Sequence, residues 1–326
     1  MIQKGRKSAK VKISLVVPIY NEEESILPFL ERAIPVLEKI GFYEIIFCMD
    51  PSTDRSEKII RDESKRNPSI CLLSFSRRFG QPAATMAGIL NCRGETCGII
   101  DVDLQDPPEL LNDMYKKLND GYELVYAKRK SRKGESLVKL FVSYIGYMLI
   151  QKLSDVHIPR NTGDFRIITR KIIEDLRPLS EKHGFLRGLV AFVGYKHAEI
   201  EYDRSERGNG KGKYNRMLGS VKIGLNGLLG FSTFPLSLIM WVGFFISILA
   251  AIGIILMIFY KLVLGVDFPL GVPTLTVLLL FFGGIQLMGI GLLGEYIGRI
   301  YEEVRNRPRF IVDQAVNLSI RSRDGR

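Results

Sequence analysis

Histidine is scarce in this chain: 3 residues in 326, at positions 157, 183 and 197. So scattered a set argues against a histidine-rich metal centre and against Ser-His triad chemistry. Cysteine is nearly as sparse. Its 4 copies (48, 71, 92 and 97) lie in or beside apolar runs and form no Cys-x-x-Cys. They read as reduced core thiols, which excludes a zinc site and a disulfide frame. There is no Walker A motif. Gly208-Asn209-Gly210-Lys211-Gly212 is superficially like a dinucleotide loop, but no strand-to-helix unit surrounds it, and without that context the motif means little. Glycine and lysine there suit a flexible loop that meets phosphate through amines and backbone N–H groups. The N-terminal stretch also reads as a poor signal peptide. The basic stretch 1–12 leads into a short apolar run broken by Pro18 and followed by Glu22, Glu23 and Glu24. The soluble part is therefore expected in the cytoplasm.

Charge of one sign is in excess. Lys and Arg total 46 against 35 Asp and Glu, a formal net charge of +11. Such a balance suits nucleic acid, an anionic membrane surface or phosphorylated substrates. Two long runs carry no charge, 234–260 and 273–294. About 20 apolar residues cross a bilayer, so both are expected to span one. Lys211, Lys213, Arg216 and Lys222 precede the pair, and Arg299, Arg305, Arg307 and Arg309 follow it. The positive-inside rule places both flanks in the cytoplasm and the intervening loop outside. The basic residues cluster near these spans and near the site below, which disfavours nucleic acid. Segments 135–153 and 213–230 have amphipathic helical spacing, and the second, just before a span, suits an interfacial helix. Glycines 283, 284, 289, 291 and 294 fit close helix packing, within a hairpin or between copies in a homo-oligomer.

Upstream, apolar strand-like runs alternate with helical patterns: strands at 12–18, 44–49, 70–76, 97–101 and 122–127. That order means βαβ units and an α/β fold with a mainly parallel sheet. Asn21 with Glu24, and Asp106 with Pro107 and Glu109, read as helix caps. Pro28 and Pro35 predict a kink in the first helix. Several strand ends carry polar or charged residues, so one edge of the sheet should hold the site. Its centre is Asp101-Val102-Asp103, where the fourth strand stops. In open α/β sheets ligands bind at that edge. A hard divalent cation takes one or two carboxylates while substrate phosphates supply further oxygens. A lone Asp-x-Asp is more often a solvated loop, and its neighbourhood has to decide. The basic run 128–133 leaves a strand end on the same edge.

Six stretches occur in order: Val17-Pro18-Ile19-Tyr20-Asn21-Glu22, Asp50-Pro51-Ser52-Thr53-Asp54, Ser76-Arg77-Arg78-Phe79-Gly80, Asp101-Val102-Asp103-Leu104-Gln105-Asp106-Pro107, Gly163-Asp164-Phe165-Arg166, and Arg207 to Tyr214. Together they resemble the inverting family 2 glycosyltransferases of the dolichol-phosphate-mannose-synthase type. The paired apolar runs and the tail Arg307-Pro308-Arg309-Phe310-Ile311-Val312 are similar to the bacterial bactoprenol glucosyltransferase branch. The resemblance covers residues 12–313. It implies a GT-A nucleotide-sugar-binding domain followed by a two-helix transmembrane hairpin. It also implies transfer of a sugar, glucose from UDP-glucose first, to a polyisoprenyl phosphate such as undecaprenyl phosphate, with inversion. By this resemblance Pro18, Tyr20, Glu22, Asp50, Asp101 and Lys211 hold the nucleotide. Asp101, Asp103 and Gln105 hold Mg²⁺ or Mn²⁺, and Asp103 is also counted as catalytic. Arg129, Arg132, Lys211 and Lys213 meet the lipid phosphate and the donor diphosphate, with Arg129 and Arg132 acting in catalysis. Asp164 orients the acceptor or completes the site; its plain alternative is an ion pair with Arg166. The expected plan is a catalytic domain over 1–210, an interfacial helix over 211–232, two spans over 233–298 and a tail over 299–326. That makes a multi-pass protein of the bacterial inner membrane, with catalytic domain and both termini cytoplasmic.

The chain departs from the family pattern at three places. An Asp-Asp-Gly-Ser turn is here Met49-Asp50-Pro51-Ser52, an Asn after Ser-Arg is Arg78, and the Ser of Gly-x-Ser-Lys-Tyr is Gly212. GDP-mannose or UDP-N-acetylglucosamine remains open as donor, and so does a catalytically silent membrane-anchored binding protein. A processive polysaccharide synthase is disfavoured, since two spans are few for a channel and no Gln-x-x-Arg-Trp is present.

Overall fold

The computed structural model describes residues 10–130, 162–179, 186–203, 234–265 and 271–320. The expected amphipathic helices at 135–153 and 213–230, and the loop at 207–214, lie outside the described residues. Eight strands form one sheet: β1 (Ile13–Ile19), β2 (Tyr43–Met49), β3 (Ile70–Phe75), β4 (Thr96–Ile99), β5 (Leu124–Arg129), β6 (Thr162–Thr169), β7 (His197–Tyr202) and β8 (Val312–Val316). Their spatial order is β7-β5-β6-β4-β1-β2-β3-β8. β1, β2, β3, β4, β5 and β7 run one way, while β6 and β8 run against their neighbours.

Side-chain alternation along the strands makes two cores. On one face Leu15, Val17, Ile45, Phe47, Leu72, Val125 and Ile167 pack against α1 (Glu23–Ile40), α2 (Ser56–Arg66) and α4 (Leu110–Asn119). On the other, Val16, Ile46, Cys48, Cys71, Leu73, Cys97 and Ile168 meet α3 (Gln81–Asn91), α5 (Arg170–Leu176) and α6 (Leu186–Phe192). The four cysteines are buried free thiols, as the sequence implies. The small residues of α3 let it approach the sheet. A Cβ built on Gly88 would lie 2.7 Å from Cys48 Sγ, closer than a side chain can sit.

Neither expected cap forms. α1 begins at Glu23, and its first N–H bonds Asp54 Oδ2 at 3.1 Å. Asn21 instead takes a left-handed backbone (φ 52) and accepts from Thr53 N at 2.8 Å. α4 begins only at Leu110, without a side-chain cap. Asp106 is turned inward, 1% exposed, and Glu109 pairs with Arg32 at 2.8 Å. In both places a partner distant in sequence outcompetes the local capping geometry. Both prolines are accommodated within α1, which stays one helix.

Two long helices follow, α7 (Phe234–Leu264) and α8 (Val272–Val304), and they pack together. Among the described residues one stretch, Phe281–Val304, is long and apolar enough to cross a membrane, and Leu236–Ile246 is a shorter apolar stretch. Large apolar side chains, Trp241, Phe245, Leu287 and Met288 among them, are exposed. α8 stops where Asn306 adopts a left-handed backbone (φ 46), a usual way to end a helix. The chain then returns to the sheet as β8, antiparallel to β3.

Candidate active site

The strand order reverses between β1 and β4, which flank each other although α1, β2, α2, β3 and α3 intervene in sequence. The crevice outside the carboxyl ends of such strands is where open α/β sheets bind ligands. Pro18, Tyr20 and Glu22 end β1 or follow it, Asp50 follows β2, Asp101, Asp103 and Gln105 follow β4, and Arg129 ends β5. Asp164 reaches the same edge for a different reason. β6 is antiparallel to β4, so it begins where β4 ends. Arg132, Lys211 and Lys213 lie outside the described residues.

The turns after β1 and β2 are joined by hydrogen bonds. Asn21 N donates to Ser52 Oγ at 3.1 Å and Glu22 N to Ser56 Oγ at 3.0 Å. Arg55 N donates to Glu23 Oε2 at 2.8 Å. Asp50 is 3% exposed, and its two oxygens accept from Phe79 N at 3.0 Å and Gly80 N at 2.9 Å. Its carboxylate thus holds the loop after β3. That loop carries Arg78, whose guanidinium lies 3.9 Å from the Tyr20 ring centroid. The substitution of arginine at position 78 therefore places a cation on the aromatic face next to the first turn.

After β4 the chain turns through Leu104, a non-glycine residue with φ 56. Such a backbone costs about 1–3 kcal/mol and persists only where the surrounding structure over-determines the loop. Asp103 Oδ1 accepts from Gln105 N at 3.2 Å, and Asp101 Oδ1 accepts from Gln81 Nε2 at 2.8 Å. Asp101, Asp103 and Gln105 are all partly exposed. This donor set, two carboxylates and an amide, is all hard oxygen and fits a divalent cation completed by substrate phosphates. Among the described residues no group of three or more His, Cys, Asp or Glu converges. An ion here would therefore need ligands beyond the two carboxylates of Asp101 and Asp103, such as the Gln105 amide and substrate oxygens.

A charged cluster stands beside this turn. Asp164 Oδ1 accepts from Arg187 Nε at 2.8 Å and Oδ2 from Arg187 NH2 at 3.3 Å, a bidentate pair. Arg166, 0% exposed, adds a contact at 3.3 Å. Burial alone would raise the Asp164 carboxyl, but Arg187, and then Arg166 and Arg129, bring it down to about 2. Arg129 Nε donates to Tyr202 Oη at 3.3 Å, and its NH2 lies 3.8 Å from Asp106 Oδ2. Tyr202 Oη also hydrogen-bonds Asp106. Burial and the Asp106 carboxylate push that phenol up to about 12. Gly163 leaves room for the guanidinium: a Cβ there would sit 2.8 Å from Arg129 NH2.

Sequence reasoning found Asp164 with Arg166 but missed Arg187, Asp106 and Tyr202. Nothing local marks them. Arg187 is one arginine in a short helix, Tyr202 ends a charged edge strand, and Asp-Pro imitates a cap.

The family description "Glycosyl transferase family 2" matches residues 14–177. The chain belongs to glycosyl transferase family 2. It is a glycosyltransferase, and its α/β domain, with a mostly parallel sheet, has the GT-A fold. An uncharacterized glycosyltransferase of Synechocystis is 39% identical over 94% of this chain and 96% of its own length. The SfII prophage-derived bactoprenol glucosyl transferase of Shigella flexneri is 39% identical over 94% of this chain and 98% of its own. A solved mannosyltransferase from Pyrobaculum calidifontis, in complex with GDP-Man and Mn²⁺, is 17% identical. It aligns 69% of this chain with 66% of that one at a TM-score of 0.45, and at that likeness nothing about ligands transfers.

Proposed function

We propose that this glycosyltransferase moves glucose from UDP-glucose to a polyisoprenyl phosphate, such as undecaprenyl phosphate, with inversion at the anomeric carbon. One observation carries the reading. Relatives named bactoprenol glucosyl transferase are 38–39% identical over 93–94% of this chain and 98–99% of their own length.

The residues divide the work along the sheet edge. Tyr20 and Glu22, with Pro18 near the end of β1, take the nucleoside. Asp50 serves the same pocket by fixing the Phe79 and Gly80 amides. Asp101, Asp103 and Gln105 would hold a divalent ion, Mg²⁺ or Mn²⁺. When bound, it neutralises charge on the departing nucleoside diphosphate. Arg129 meets the acceptor phosphate, together with Arg132, Lys211 and Lys213. The attacking oxygen of a phosphate is already anionic near neutral pH, so a strong base is not needed. Asp164, held ionised down to about 2, is a poor proton acceptor at neutral pH. Its role is to keep Arg187 and Arg166 oriented.

The remaining plan follows from the acceptor. A polyisoprenyl lipid requires membrane access, and α7 and α8 form the hairpin that supplies it. The catalytic domain over 1–210, the interfacial helix over 211–232 and the tail over 299–326 face the cytoplasm of a bacterial cell, with the spans over 233–298. The exposed apolar side chains of α7 and α8 support this placement.

The test is transfer to undecaprenyl phosphate in detergent from labelled UDP-glucose, GDP-mannose and UDP-N-acetylglucosamine, each with Mg²⁺ and with EDTA. We expect lipid labelling from UDP-glucose alone, abolished by EDTA. Labelling from another donor would replace the sugar, and none from folded protein would favour a silent binding protein.

A further inference from the structure

The segment after α8 does more than leave the membrane helix. Ile311 O accepts from Ser76 N at 3.1 Å, extending the β3–β8 ladder into the loop after β3. The Phe310 ring lies 6.0 Å from Phe75, and Phe75 lies 6.2 Å edge-on to Phe79. The far end of the strand is fastened as well. Asn317 Nδ2 donates to Ser64 O at 2.8 Å and Ile70 O at 2.9 Å, and Leu318 is buried in the core. Arg309 NH2 donates to Leu179 O at 2.7 Å. Phe79 and Gly80 are the residues whose amides Asp50 holds, and Gln81 next to them reaches Asp101. A continuous set of contacts therefore runs from the end of α8 through Phe310 to the turn bearing the two carboxylates.

We propose that Phe310 is a positioning residue for the donor site: packed through Phe75 and Phe79, it holds the Ser76–Gly80 loop in the form that binds the nucleotide. Resting on the donor site of the proposed function, this makes the segment beyond the second long helix part of nucleotide binding. The direction of β8 makes the contact possible. Because it runs antiparallel to β3, it starts at the carboxyl edge, and the residues just before it lie against the loop.

The test compares the full-length protein with Phe310→Ala and Phe310→Leu in detergent. UDP affinity is read by calorimetry, the KM for UDP-glucose and for undecaprenyl phosphate by transfer, and amide exchange at Phe79 and Gly80 by mass spectrometry. Phe310→Ala should weaken UDP binding about threefold to tenfold, the size of one lost aromatic packing pair. It should raise the donor KM alike, speed exchange at 79–80, and leave the acceptor KM within about twofold. Phe310→Leu, which refills the space, should recover most of the loss. Unchanged UDP affinity and unchanged exchange in Phe310→Ala would overturn the proposal. So would a fall in kcat at constant donor KM, or a general loss of β8 protection that leucine does not rescue, since either points to a merely structural contact. If the wild-type protein bound no UDP, the donor reading would fall instead, and the exchange comparison would still decide whether Phe310 holds the loop.

Discussion

Asp164 lies among three guanidinium groups, and one of them, Arg166, has no exposure at all. A buried guanidinium without its carboxylate is costly, so Asp164→Asn should destabilise the catalytic domain by about 2–4 kcal/mol. The pH dependence carries a sign. The folded carboxyl sits at about 2, below its ordinary value of 3.8. Its contribution is therefore complete above that ordinary value and fades as pH falls through about 2. The melting temperatures of wild type and Asp164→Asn should differ by a constant amount between pH 5 and pH 8, and converge in acid. A gap that instead opened only below pH 4 would refute the ion-pair role. Asp103 predicts a different pattern: Asp103→Ala should cost transfer about 10³-fold or more while the melting temperature stays close to wild type. Retained transfer with full dependence on added metal would remove Asp103 from the ligand set. Both carboxylates were legible as a pair of names in the sequence, because Asp-x-Asp ends an apolar run and Asp164 stands two residues from Arg166. Arg187 was not, since the contact spans 23 positions and no periodicity marks it.

At the scale of elements, the first four strands announce themselves by apolar runs and turn residues, because each is buried on both faces. β6, β7 and β8 are harder to see. β7 is a charged edge strand in which exposed and partly buried residues alternate, and β6 and β8 owe their place to partners far along the chain. Yet two of the site's supports depend on them. Tyr202, at the end of β7, joins Asp106 to Arg129. Tyr202→Phe leaves the buried Asp106 short of a donor, at about 1–3 kcal/mol. We expect kcat/KM for the lipid phosphate to fall about tenfold, with the donor KM within about twofold. A change confined to the donor KM would place Arg129 on the nucleotide side. On the opposite face of the sheet, Gly88→Ala forces a methyl toward Cys48 Sγ. The close packing of α3 should then cost about 1–3 kcal/mol by thermal unfolding. An unchanged melting temperature would mean that α3 can withdraw from the sheet without penalty.

Across the whole molecule, one α/β sheet closes around both ends of the described chain: β1 at its centre and β8 at its edge. The excursion through α7 and α8 thus leaves the catalytic domain and returns to it. That is the geometry a lipid-using enzyme needs if domain and hairpin are to keep a fixed relation. The proposed topology has a direct readout. All four native cysteines are buried, so a single new one reports cleanly. In intact cells a membrane-impermeant maleimide should label Asp267→Cys, which falls between α7 and α8 in sequence, and spare Ser319→Cys near the end of the sheet. The reverse pattern would invert the orientation. The sequence already carried the two long apolar runs and the arginines that flank them, but not the return of the tail to the sheet, because β8 is a five-residue strand of mixed polarity.

The measurement that tests the central claim most directly is the structure of the product. Undecaprenyl phosphate and UDP-glucose, incubated with the full-length protein and Mg²⁺, should give a lipid whose ³¹P spectrum shows a phosphodiester in place of the phosphomonoester. Its anomeric proton should report β-linked glucose. A product with an α linkage would contradict inversion, and a phosphomonoester left unchanged while UDP is released would contradict the lipid phosphate as acceptor.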